Sequence, residues 1–437
     1  MGKVEGRAVQ VVRCSTVVPE VETPRHSLWL SNLDLAAMPD YTALFWVYRP
    51  NGDPDFFSRE RLKTSLSRAL VAFYPLAGRI VNGPGGRLEI SCDGEGVPFA
   101  EAEADCSIDG FGEFVPGPEI RNMLAPPAPS TAPPFLPLLL QVTSFGCGGI
   151  TLGVTLNHAA VDGHAFYHFL GTWAAISRGT VDHLFPPFLD RGLLRARSPP
   201  EVVVEPPVYR LTTSQEPPPE EAKPFSTVMF VLSKDQLAVL RVSCGVRCST
   251  FTAVAAHAWR CVCKARALDE DKQTRLHLLV DARSRLDPPL PRGFFGNGAF
   301  RMHMAVRVGD VVSGPPEATA NTIHEVTSRL GDEHMRSLVD FLELQEDLGK
   351  FSRLSQHLPA TDLCAVSWLG LPIYEADFGW GRPVLKRRAC LLRGGVVYIL
   401  RNPGNEGGVT LILSLETESM AAFEKVFYHG LKGYPKM

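Results

Sequence analysis

Apolar residues recur in two rhythms along this chain, one of strands and one of helices. Residues 43–48 (ALFWVY) form an unbroken apolar run of strand length, the pattern of a buried strand. Residues 59–73 keep a helical period, with Leu62, Leu66, Leu70 and Phe73 on one side. Residues 87–90 and 99–104 read as short strands. Two apolar runs, 137–145 and 150–157, are joined by Gly-Cys-Gly-Gly, which signals a hairpin. A helical pattern follows from Asp162 to about Arg178, with Phe166, Phe169, Leu170, Trp173 and Ile176 on one side.

The second half repeats the mixture. Residues 226–232 read as a strand and 234–242 as a helix. Ser249 is a good N-cap for an amphipathic helix over 251–265. Residues 276–281, 396–401 and 410–415 read as strands, and 420–429 as a last helix. Residues 320–352 are largely helical in pattern, with Gly331 and Gly349 interrupting. Alternating strands and helices in both halves predict a mixed α/β (α+β) fold.

Prolines punctuate these patterns. There are 36 in 437 residues, about 8% against an ordinary ~5%. They gather in 114–137 and 186–224. Proline fixes φ and lacks an N–H, so neither stretch is expected to hold regular helix or central strand. The first is read as an ordered surface loop. The second is too long for an ordinary connection inside one domain. It is read as a crossover between two domains, 1–185 and 225–437, with residues near 370–395 expected to pack on the first.

Composition mainly excludes. A chain with 45% hydrophobic and 21% charged residues is an ordinary globular one. A formal net charge of −3 removes the electrostatic case for binding nucleic acid. Of ten cysteines only Cys261 and Cys263 are close, as C-x-C, and they make neither a disulfide framework nor a zinc set. The opening MGKVEGRAVQVVR has no apolar core for a signal peptide, and no run of about 18 apolar residues suggests membrane insertion. A soluble, cytoplasmic monomer with reduced thiols is expected. Neither a G-x-G-x-x-G after a first strand nor a Walker A lysine is present, so nucleotide-dependent chemistry has no support.

Residues 152–169 (LGVTLNHAAVDGHAFYHF) carry the most chemistry. His158 follows a strand at a domain edge, where a neutral imidazole can take a proton near pH 7. Asp162 either orients that imidazole or turns away to an arginine that fixes the loop. Gly163 permits an unusual backbone beside it. A single H-x-x-x-D is also compatible with a strand-end histidine satisfied by a backbone bond. His164 and His168 share a helix face, but the order H-A-F-Y-H lacks the glutamate of a metalloprotease, so both are read as surface or packing residues. No serine stands in G-x-S-x-G. Two further segments stand out. Residues 374–383 (YEADFGWGRP) form a glycine-rich loop around Trp380, whose indole N–H needs a partner if buried. Residues 279–285 place Arg283 just past a strand, ahead of the FFGN of residues 294–297.

Taken together, these residues resemble the plant BAHD acyltransferase family. HAAVDG matches its H-x-x-x-D-G, and DFGWG matches its second signature letter for letter, in order and at the family's spacing. The likeness spans the chain, including LSNLDL (30–35) and FYPLAGR (73–79). It implies two chloramphenicol-acetyltransferase-like domains joined by a long crossover, with a tunnel between them for acyl-CoA and a small-molecule acceptor. Acyl-CoA is then a co-substrate, and neither a resident cofactor nor a metal is implied. His158 matches the general base, Asp162 the structural aspartate, and Arg283 its partner. Trp380 resembles a loop tryptophan whose N–H faces the developing oxyanion, and Asp377 is structural. Ser249 and Thr250 resemble the helix start beside the CoA phosphates, where a helix N-terminus suits an anion.

Within the family the chain is similar to hydroxycinnamoyl-CoA transferases. Shikimate and quinate transferases carry an arginine before LPI that binds the acceptor's carboxylate; here the matching residue is Gly370. A buried carboxylate without its arginine is costly. The resemblance therefore implies transfer of a hydroxycinnamoyl or benzoyl group to an amine, as in phenolamide formation. The alternatives are an alcohol acceptor or a non-catalytic scaffold that kept the fold. A zinc hydrolase built on His158, His164 and His168 is the remaining rival.

Overall fold

The computed structural model describes residues 9–37, 41–128, 132–204, 223–245, 248–348, 351, 358–404, 407–429 and 431. Its strands in the first half are β1 (Val9–Val17), β2 (His26–Trp29), β3 (Tyr41–Tyr48), β4 (Arg79–Asn82), β5 (Leu88–Cys92), β6 (Val97–Ala104), β7 (Leu138–Phe145) and β8 (Ile150–Asn157). The second half holds β9 (Phe225–Leu232), β10 (Gln273–Asp281), β11 (Ala299–Arg307), β12 (Leu363–Ser367), β13 (Leu385–Arg388), β14 (Val396–Arg401) and β15 (Val409–Glu416). The longer helices are α1 (Asn32–Ala36), α2 (Arg59–Ala72), α3 (Pro118–Leu124), α4 (Gly163–Arg178), α5 (Lys234–Ser243), α6 (Thr250–Ala265), α7 (Val308–Val312), α8 (Pro316–Ser328), α9 (Asp332–Glu343) and α10 (Thr417–Phe427).

Two mixed six-stranded sheets result, in the orders β1-β6-β7-β8-β3-β13 and β11-β10-β12-β14-β15-β9, with a small sheet β2-β5-β4. The expected hairpin is β7–β8, antiparallel with Leu138 opposite Leu156. β3 and β8 are buried at every position, as central strands covered on both faces must be. Helices α2 and α4 pack together against this sheet, their apolar sides meeting Trp46 and Trp173 in one core. A second core surrounds Trp259 of α6, whose indole N–H donates to Thr274 at 2.9 Å.

The segment before and within β13 belongs by contact to the first sheet. β13 pairs antiparallel with β3, setting Lys386 opposite Trp46. Upstream, the Trp46 indole donates to the Ile373 carbonyl at 2.9 Å and the Tyr48 hydroxyl to the Ala376 carbonyl at 2.7 Å.

Some expectations need correction. The proline-rich stretch 114–137 contains α3, because Pro118 sits in its first turn, where a missing N–H costs nothing. The long helical pattern after residue 320 is two helices: α8 ends at Ser328, and Gly331 caps α9. Gly349 lies outside the described residues, as do residues 205–222 of the crossover. The crossover's described part is ordered against the second half, with Phe188 bridging Phe294.

Candidate active site

His158 directly follows β8 and is half-buried on the wall of a cavity of about 350 Å³. That size lies within the ~300–1,000 Å³ of small-molecule sites. The cavity opens between the two sheets. Leu44 and Leu156 come from one, and Leu279, Asp281 and Arg301 from the other.

A chain of buried polar groups orients the imidazole. The Asn297 side-chain amide donates to Asp34 Oδ1 and to the His158 carbonyl, both at 2.8 Å. Its Oδ1 is therefore an acceptor, and it faces His158 Nδ1 at 3.1 Å. Nδ1 must then carry the proton, which leaves the lone pair on Nε2. Asp34 is itself fixed. It accepts from Ser31 N–H and hydroxyl at 2.8 Å and pairs with the fully buried Arg191 at 3.0 Å. Arg191 also donates to the carbonyl of Ala160 at 2.7 Å, two residues past His158. Asn297 and Arg191 thus act on the candidate base from the far side of the crossover and from within it. Sequence reasoning gave neither a role, although FFGN and the proline-rich stretch were both conspicuous.

Replacing Asn297 by alanine frees the imidazole to adopt either tautomer. Turnover should fall roughly 10–100-fold, a fraction of the ~10²–10⁴ that a general base supplies, with KM for acyl-CoA little changed. Steady-state kinetics of the variant check this; an unchanged kcat would remove Asn297 from the orienting chain.

Asp162 turns away from His158, which resolves the choice the sequence left open. Its carboxylate meets Arg283 through two bonds, 2.7 and 2.9 Å, and accepts backbone N–H from Gly298 at 2.9 Å and from Ala165 at 3.0 Å. The last bond caps α4. Burial alone would raise its pKa, but Arg283 and the two N–H donors outweigh burial and hold it below the ordinary carboxylate value. Gly298 must be glycine here, since a Cβ would lie 2.7 Å from the Arg283 guanidinium. Gly163 does not supply the unusual backbone expected of it. Its φ is not positive; a Cβ there would instead press on Leu371 at 3.1 Å.

Trp380 does not line this cavity. It stacks on Phe57 at 5.0 Å and lies under the Arg61 guanidinium at 4.4 Å. Arg61 in turn bonds the Ser177 carbonyl at the last turn of α4, while Asp162 caps the first. A 16-residue helix is about 24 Å long, so Trp380 is far from His158 and cannot donate to an oxyanion there. The tryptophan on the cavity wall is Trp368. Asp377 ties its own loop, accepting N–H from Gly379 at 2.8 Å and Gly381 at 3.0 Å.

Gly370 lines the cavity with nothing within 4 Å of where a Cβ would be. Ser249 caps α6 through the Thr252 N–H at 3.0 Å, and neither Ser249 nor Thr250 lines the cavity. The three histidines of the zinc alternative have separate partners. His158 meets Asn297, His164 lies 3.7 Å from Asp281, and His168 bonds the Phe185 carbonyl at 3.0 Å. Among the described residues no group of three His, Cys, Asp or Glu is placed to hold a metal, and no helix is long and apolar enough to cross a membrane.

Comparison with known proteins agrees with this architecture. The sequence model of the family described as the Transferase family matches residues 7–430. The chain is 43% identical to putrescine hydroxycinnamoyltransferase 1 of Oryza sativa subsp. japonica, covering 97% of this chain and 100% of that protein. It is 40% identical to the shikimate O-hydroxycinnamoyltransferase of Nicotiana tabacum, covering 96% and 99%. Among solved structures it resembles vinorine synthase, with 25% identity, a TM-score of 0.74, and coverage of 95% and 96%.

Proposed function

The chain belongs to the BAHD acyltransferase family, and on that premise we propose that it moves a hydroxycinnamoyl or benzoyl-type group from CoA to an amine, with His158 as general base in a ternary complex. The carrying observation is the Nδ1 bond to Asn297, which leaves Nε2 as the basic nitrogen at the cavity. Nε2 takes the proton from the acceptor nitrogen as that atom attacks the thioester carbonyl carbon. The carbonyl π electrons move to oxygen, then return as the C–S bond breaks. The imidazolium hands its proton to the departing thiolate, so charge and atoms balance and no acyl-enzyme forms. Holding both substrates in one cavity makes a bimolecular step effectively intramolecular.

Two observations support an amine. Gly370 presents no side chain to bind a shikimate-type acceptor at that position, and the rice relative is by name a putrescine transferase. The tobacco relative, by name a shikimate O-transferase, supports an alcohol as the second choice. Ser249 caps, and Thr250 opens, the helix start proposed for the CoA phosphates.

Incubation with p-coumaroyl-CoA or benzoyl-CoA and a panel of amines and alcohols, following CoA thiol release, tests the proposal. Acceptor-dependent release, fastest with an amine, is expected. No release above background with any pair would overturn acyl transfer; release with alcohols alone would overturn the amine.

A further inference from the structure

A second polar cluster lies on the wall of the His158 cavity, contributed by β13 and β14. Arg388 lines the cavity. It donates through Nη1 to the Tyr398 hydroxyl at 2.8 Å and through Nε to the Cys390 carbonyl at 3.1 Å. These bonds hold the fork in one orientation, and its Nη2 has no partner among the described residues. Two positions earlier, on the same face of β13, Lys386 is fully buried. Its Nζ has no hydrogen-bond partner among the described residues and lies 3.0 Å from the centre of the Trp368 ring. Trp368 packs edge-on against Tyr398 at 5.0 Å. The buried Tyr167 hydroxyl, on the cavity wall, also lacks a partner among the described residues.

Buried polar atoms without partners are rare in folded proteins. Two such atoms stand close to this cavity: the Tyr167 hydroxyl on its wall and Lys386 Nζ against the ring of Trp368, which lines it. The carboxylates that line this cavity among the described residues are Asp162 and Asp281, and Arg283 binds both. A cationic polyamine would therefore meet Arg388 and Arg301 and find no uncommitted carboxylate among those residues. An acceptor that brings its own carboxylate would satisfy the remaining Nη2 with a charge-assisted hydrogen bond.

We propose that Arg388 is the specificity-determining residue for the acceptor, and that the preferred acceptor is an amine carrying a carboxylate, of the aminobenzoate type. This deepens the acyl-transfer proposal and rests on it. The guanidinium absent at position 370 is supplied from β13 instead.

The test compares 5-hydroxyanthranilate with 4-aminophenol, the same amine without its carboxylate, and with putrescine, at saturating p-coumaroyl-CoA. The wild type should favour 5-hydroxyanthranilate in kcat/KM. In Arg388→Met the ratio of kcat/KM for 5-hydroxyanthranilate to that for 4-aminophenol should fall about 10–100-fold, the loss expected of one charge-assisted hydrogen bond. Arg388→Lys should restore part of it, and the KM for p-coumaroyl-CoA should hold in both. A rise in that KM with an unchanged acceptor ratio would assign Arg388 to the acyl group and overturn the proposal. Wild-type preference for putrescine or 4-aminophenol would overturn it while leaving acyl transfer standing; no turnover with any acceptor would overturn both.

Discussion

Alanine at position 158 should lower kcat about 10²–10⁴-fold, the usual contribution of a positioned general base. The imidazole is half-buried at a cavity and, among the described residues, bonds Asn297 on one side. Removing it leaves Asn297 with its two donor contacts to Asp34 and the His158 carbonyl, so the loop after β8 keeps its anchors. The thermal midpoint should therefore move little while turnover collapses. KM for acyl-CoA should also stay near the wild-type value, because the base acts on the acceptor's proton and not on the donor. The double variant with Asn297→Ala should be hardly slower than His158→Ala alone, since an orienting residue has no effect once the group it orients is gone. Normal turnover in His158→Ala would remove the base from the mechanism. A wild-type protein with no turnover at all would point instead to a scaffold that kept the fold.

Legibility tracked how local the cause was. β3 and the β7–β8 hairpin were visible because continuous apolar runs and a glycine turn carry their own signal. β13 was not. Its sequence, Leu-Lys-Arg-Arg, reads as a charged surface stretch, yet Lys386 and Arg387 are buried because pairing with β3 draws them in. The same applied to the site. Asp162 and Arg283 were named from the resemblance, and the structure brings them together. Asn297 and Arg191 touch the loop of His158 only through contacts between segments more than 30 residues apart, which no local spacing encodes. Trp380 shows the opposite failure. Its motif was unmistakable, but a motif fixes identity and not distance, and α4 separates it from the base.

The second large effect concerns the fold around that base. Arg283→Ala should destabilise the protein by about 3–5 kcal/mol at pH 7, the cost of leaving one member of a buried ion pair uncompensated. The Asp162 side chain is 3% exposed and that of Arg283 16%, so solvent offers little substitute. The pH dependence has a definite sign. In the native protein the Asp162 pKa lies below its unfolded value of ~3.9, burial being outweighed by Arg283 and the N–H groups of Ala165 and Gly298. Its stabilising effect is therefore complete above about pH 4 and is lost as pH falls through the lower folded value. Without Arg283 the balance reverses, because burial, already the largest single influence, is no longer outweighed and pushes the carboxyl up. The variant then carries a penalty at neutral pH that protonation relieves on acidification. Urea midpoints of wild type and variant should accordingly lie further apart at pH 7 than at pH 4.5. Asp162→Asn removes the charge while keeping an oxygen to cap α4, so its deficit should vary less with pH than that of Arg283→Ala. Equal gaps at both pH values for Arg283→Ala would show that the pair contributes packing and not charge. Should Asp162→Asn keep its stability yet lose turnover, the carboxylate would belong to the chemistry and not to the loop that carries His158.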